Sequence, residues 1–149
     1  FKASAGDKVF ESMKLLAKNF SDDLKILEGK SYPVVFTGLG KPGDFTGKEL
    51  AGRIALIERG ELTFEEKVKN AKNAGAAAVI IFNNTEGEIP AYIGENTKYI
   101  PTFQLAKADG DYLKGNPEAS LTFDQLAEVK TEGDSLDRLQ LKRACQQQL

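Results

Sequence analysis

Gly38-Leu39-Gly40-Lys41-Pro42-Gly43 satisfies the spacing G-x-G-x-x-G and follows a β-branched pair, Val34-Val35. That spacing serves dinucleotide binding when glycines let the backbone approach a pyrophosphate and a helix N-terminus faces the negative charge. The motif must therefore open a helix. Here Gly43 leads into DFTGKELAG, with further glycines at 47 and 52, and an apolar strand begins near Arg53. Too little chain is left for the roughly 10–12 residues of a parallel crossover. Glu58 stands where a ribose-binding acid would be counted from Gly40, a coincidence that comes cheaply in an acidic chain. Gly47-Lys48 is followed by Glu49, not Ser or Thr, so the P-loop pattern fails as well. The stretch reads as a turn, and a nucleotide-binding domain stays only as a remote alternative.

Other chemistry is limited by what is missing. With no histidine, a Ser-His-acid triad cannot form and the commonest metal ligand is absent. The single cysteine, Cys145, lies in a polar tail and reads as a bystander thiol. Serines at 4, 12, 21, 31, 120 and 135 leave Ser-Lys dyads formally open, but no G-x-S-x-G elbow occurs. The acidic pairs Asp22-Asp23 and Glu65-Glu66 lack calcium-loop spacing and read as solvated charges. No catalytic residue, metal site or cofactor is expected. A net charge of −2 offers no basic surface for nucleic acid. No apolar run approaches the ~20 residues of a membrane span. Asn19-Phe20-Ser21 and Asn83-Asn84-Thr85 are glycosylation sequons that matter only in a eukaryotic secretory host. The chain starts at Phe1 with neither initiator Met nor signal peptide, so it is expected to be a piece of a longer polypeptide.

The elements that position these residues are clearest in the middle. RIALIERG holds a buried strand through Ile54–Ile57, and AAAVIIFNN another through Val79–Phe82. Between them LTFEEKVKNAKNAGA has a helical period, with Phe64, Val68, Ala71 and Ala74 on one stripe. Thr63 and Glu66 form a capping box, and Gly75 suits a left-handed helix end. Strand, helix and strand at this spacing make a βαβ unit with parallel strands. A strand at Tyr32–Thr37 precedes it. IPTFQL, a short helix in AKADGDYLKG closed by Gly115, and ASLTFD follow it; Pro101 marks an edge or a strand start. Residues 8–27 lack a clean period; Phe10, Met13, Leu15 and Leu16 fit a strand or a short helix, with strand preferred. From Gln125 the chain is polar and helix-prone, and a disordered segment, a docked helix or an appended remnant all fit it. The fold class is α/β: a mixed, curved β-sheet or open barrel with flanking helices and one βαβ unit.

Gly52 to Asn84 resembles the protease-associated (PA) domain. The points of resemblance are Arg59-Gly60, Thr63-Phe64, Lys67, Ala74-Gly75-Ala76 and Asn83-Asn84, followed by Ile100-Pro101 and Asp109-Gly110. Within that family, YPVVFTGLGKPGDF is most similar to the version inserted in secreted bacterial subtilisin-like serine proteases. The resemblance implies a PA core over residues 32–123. Residues 1–31 would be the first strands of the insertion or a lead-in, and 124–149 a tail of unassigned role. It also implies a non-catalytic domain that shapes substrate access or binds protein or peptide, beside a catalytic domain that carries the triad. The implied location is extracellular or at the cell wall. A PA domain of a metallo-aminopeptidase or a sorting receptor is the alternative. Binding is expected on loops held by the sheet, at Arg59, Asn83, Asn84, Tyr92 and Tyr99. Arg59 fits two roles equally: facing a partner, or pairing with a nearby carboxylate to fix its turn.

Overall fold

A computed structural model describes residues 2–18, 27–87, 89, 94–95 and 99–124. Its elements are β1 (Lys2–Ala5), β2 (Lys8–Val9), β3 (Lys14–Lys18), β4 (Ser31–Phe36), β5 (Ile54–Glu58), α1 (Phe64–Asn73), β6 (Ala78–Phe82), β7 (Gly94–Glu95), β8 (Thr102–Leu105), α2 (Lys107–Lys114) and β9 (Ser120–Asp124). The strands form one curled, mixed sheet in the order β2-β1-β9-β4-β5-β6-β8-β3-β7. β4, β5, β6 and β8 run parallel at its centre, and β1, β2, β9 and β3 add antiparallel ladders. The expectation that too little chain follows the G-x-G stretch for a parallel crossover is overturned: residues 37–53 carry the chain from β4 to the parallel β5 with a 3-10 turn in place of a helix. β4 joins the two regimes. Ser31–Pro33 pair with β9, and Val34–Phe36 pair with β5. Pro33, which has no N–H to give a ladder, sits where the pairing changes hands.

Alternation along β5 and β6 sorts the core onto two faces. Ile54, Leu56, Ala78, Ile80 and Phe82 share one cluster with Leu113 of α2. Ala55, Ile57, Val79 and Ile81 share the other with Phe64, Val68 and Ala71 of α1. Burial on both faces is why these strands read as unbroken apolar runs. The βαβ unit and its parallel strands are as the periodicity predicts. Thr63 Oγ1 accepts from Glu66 N at 3.2 Å, so half of the capping box is in place. Gly75 follows α1 with φ of 92°.

The amino-terminal region resolves into strands, with a physical reason for its blurred pattern. β3 carries a register shift between Leu15 and Ala17 against β8. The bulge puts the adjacent residues Leu16 and Ala17 into the same cluster, which breaks the period of two. Phe10 and Met13 are buried without belonging to a strand. Pro101 proves to be a strand start in the interior, since β8 is flanked by both β6 and β3. The polar tail from Gln125, with Cys145, lies outside the described residues, as does the 19–21 sequon.

Candidate functional site

The carboxyl ends of the parallel strands share one edge of the sheet, and the segments that follow them form a rim: residues 37–45 after β4, 59–63 after β5 and 83–87 after β6. In open parallel sheets this is the edge where ligands are met. The G-x-G turn lies here, and its backbone faces the wrong way for a phosphate. Gly38 O accepts from Glu58 N at 2.8 Å, Leu39 O from Lys67 Nζ at 2.5 Å, and Gly40 O from Asn70 Nδ2 at 2.9 Å. Three successive carbonyls are thus turned into the protein, where a pyrophosphate cradle would present N–H groups. A four-residue 3-10 turn, Pro42–Phe45, follows instead of a helix. Gly40 is required by position: its φ is 76°, and a Cβ there would lie 3.0 Å from Ile57 Cγ2. The glycines let the turn lie flat on β5 and α1.

Lys67 holds this rim from below. It is fully buried, and its ammonium donates to Leu39 O at 2.5 Å, Glu58 O at 2.8 Å and Gly60 O at 2.9 Å. An ammonium has three N–H donors, and here each has its own carbonyl. Burial pulls the lysine from its usual 10.5 down to about 8, against the pull of the Glu58, Asp44 and Glu61 carboxylates; Lys41 adds a weaker push downward. Three carbonyl acceptors on one nitrogen suit the protonated ammonium, which alone has three hydrogens to give. In the sequence Lys67 stands out only as a point of family resemblance. The signal for its burial was available: Lys67 is three residues from Phe64 and beside Val68, within the apolar stripe.

Arg59 and Asn83 meet at the centre of the rim. Arg59 Nη1 donates to Asn83 Oδ1 at 3.2 Å, and its guanidinium carbon lies 6.0 Å from the Phe64 ring centroid. Asn83 is buried, accepts from Asn84 N at 2.9 Å and donates through Nδ2 to Gly87 O at 3.1 Å. Its side chain is committed to joining two turns, which leaves its sequon nitrogen inside the fold. Asn84 is exposed. Tyr99 is buried with the α1 cluster, reaching a shallow cavity of about 290 Å³ beside Glu65, Lys69, Lys72 and Asn73. The structure therefore brings Arg59, Asn83 and Asn84 together and packs Tyr99 inward. Tyr92 lies outside the described residues. Among the described residues, no group of three or more His, Cys, Asp or Glu is placed to hold a metal ion.

Comparison with known proteins bears on the family and the fold. Residues 30–113 match the family described as PA domain. The chain is 33% identical over 145 residues to the minor extracellular protease Vpr of Bacillus subtilis, covering 89% of this chain and 18% of that protein. It is 45% identical over 96 residues to the aminopeptidase YwaD of the same organism, covering 63% of this chain and 21% of that protein. Among solved structures, an aminopeptidase from Aneurinibacillus sp. strain AM-1 superposes with a TM-score of 0.66 at 33% identity, over 80% of this chain and 28% of that one. The chain thus spans about a fifth of each of these two curated relatives.

Proposed function

This chain belongs to the PA domain family, and on that premise we propose that it is a non-catalytic module of a secreted subtilisin-like serine endopeptidase. It binds protein or peptide substrate, and shapes access to a catalytic centre carried elsewhere in that protein. The observation behind the subtilase setting is the reach of the match to the extracellular protease, which takes in 89% of the chain. The match to the aminopeptidase takes in 63%. That second match is the higher in identity, and an aminopeptidase gives the 0.66 superposition. The second reading is therefore a PA domain attached to an aminopeptidase. The flanking sequence separates the two: a subtilase supplies Asp and His before this segment and Ser after it.

Binding is assigned to the rim around Arg59 and Asn84 with the adjoining 85–99 segment, because binding residues favour loops carried on a rigid scaffold. Arg59 and Asn83 brace this surface, and Asn84 and Tyr92 are the side chains proposed to meet the partner.

The chain by itself is expected to hydrolyse neither casein nor a peptide ester. It has no histidine to act as base and no nucleophile elbow. Turnover that co-purifies with the chain through repeated chromatography, and is lost on its specific removal, would overturn the non-catalytic assignment.

A further inference from the structure

We infer that the carbonyls of Leu39, Glu58 and Gly60 form a three-point receptor for a primary ammonium, occupied in cis by Lys67, and that this occupancy sets the spacing of the rim turns. The three oxygens come from two separate parts of the chain, the β4–β5 connection and the end of β5 with its following turn. They converge on one nitrogen at 2.5, 2.8 and 2.9 Å. Glu58 N also donates to Gly38 O at 2.8 Å and Lys41 pairs with Glu61 at 2.8 Å, so the turns touch directly at their edges, while Lys67 joins them from beneath through three carbonyls at once. Leu39 O has no direct bond to Gly60 O, since both are acceptors, and only a donor between them can hold them close. Asn70, one turn along α1, repeats the device with Gly40 O.

The receptor is specific in charge and in donor number. A hydroxyl brings one proton to three acceptors, while a primary ammonium brings three and offsets the crowding of carbonyl dipoles. Lys67 is thus a positioning residue. It never reaches the surface, yet it fixes where Arg59 and Gly60 stand. The biological weight of this inference rests on the proposed binding rim. Its test contains no partner, so failure of either leaves the other to be judged separately.

The experiment is amide hydrogen exchange on the 149-residue chain and its Lys67→Ala variant. The reporters are the rim amides of Gly40, Glu58 and Leu62, which donate to Thr37, Gly38 and Gly60; Ala77 and Val79, at the opposite end of the sheet, serve as references. In Lys67→Ala the rim amides should exchange about tenfold faster or more, with the references unchanged. The truncation removes three methylene groups and an ammonium, so n-propylammonium should restore rim protection saturably in the variant and do nothing to wild type. Propan-1-ol, of the same shape with one donor, should not restore it. Rim exchange at the wild-type rate in the variant, or equal rescue by propan-1-ol, would overturn the inference. Lys67→Met keeps the apolar stem if the alanine variant does not fold, and the same rim amides decide in the same way. In wild type, the Lys67 ammonium hydrogens should give a resolved, slowly exchanging nitrogen-correlated signal at neutral pH. Merging of that signal with the surface lysines would also contradict the receptor.

Discussion

Replacing Phe64 by alanine should lower unfolding stability by about 3–5 kcal/mol, a large part of what a domain of this size has. Phe64 is the first residue of α1, fully buried, and it shares a cluster with Ala55, Ile57, Val79 and Ile81 of the two central strands. Thr63 fixes the entry of the chain by capping Glu66 N, so the ring has one direction to take. The neighbours that would have to collapse into the vacated space are strand residues held by ladders on both sides, β5 by β4 and β6, and β6 by β5 and β8. Collapse is therefore limited, and most of the cavity term remains. Urea denaturation of the two proteins checks this. A variant midpoint at the wild-type value would mean that α1 packs through another face.

Gly110→Ala should destabilise by about 3 kcal/mol, although alanine is the better helix former by roughly 1 kcal/mol. Gly110 is buried within α2, and a Cβ placed on it would lie 2.2 Å from Phe82 Cγ. Carbon atoms in contact sit about 3.5–4.0 Å apart, so α2 or the Phe82 ring must move by more than 1 Å. The ring is held: Phe82 is fully buried at the end of β6 and tilted against Phe36, with centroids 6.2 Å apart. The helix is held as well, by Leu113 in the core and by Ser12, whose hydroxyl donates to Asp109 and accepts from Ala106 N. Overpacking thus exceeds the propensity gain. The clashing atoms are Phe82 Cγ, Cβ and Cδ2, and Phe82→Ala removes the first and the last, so Gly110→Ala combined with Phe82→Ala should lose less than the sum of the two single variants. Thermal unfolding of the four proteins measures this coupling. A single Gly110→Ala variant more stable than wild type would contradict the close helix–strand contact.

The parts of this fold that were legible are those whose burial leaves one signature in the sequence. β5 and β6 are covered on both faces, so their residues are apolar without interruption, and α1 between them shows its stripe because one side faces water. The G-x-G turn was legible as a turn because glycine and proline continue past it, but chain length misled: residues 37–53 do cross over between the parallel β4 and β5, with a 3-10 turn where a helix was thought necessary. Lys67 was hidden for the opposite reason. A lysine in a helix ordinarily marks the solvent side, and only its spacing from Phe64 and Val68 says otherwise. β3 was blurred by its bulge, which turns two consecutive residues toward one cluster. Arg59 was open between a partner and a carboxylate; the fold gives it an amide oxygen, from Asn83. That pairing depends on β5 and β6 ending side by side, which no local pattern in the sequence records.

The proposed function has the rim recognise substrate for a catalytic centre outside this chain. It is tested most directly in the whole protein that carries this domain, by comparing Asn84→Ala/Tyr92→Ala with the parent. Arg59 and Asn83 are left in place because they brace the turns. The measurement is kcat/KM for a large protein substrate and for a short peptide reporter, side by side. For the protein substrate alone kcat/KM should fall about fivefold, roughly 1 kcal/mol, with the short peptide unchanged and thermal unfolding as in the parent. Equal relative rates on both substrates, in a variant that is folded, would contradict it.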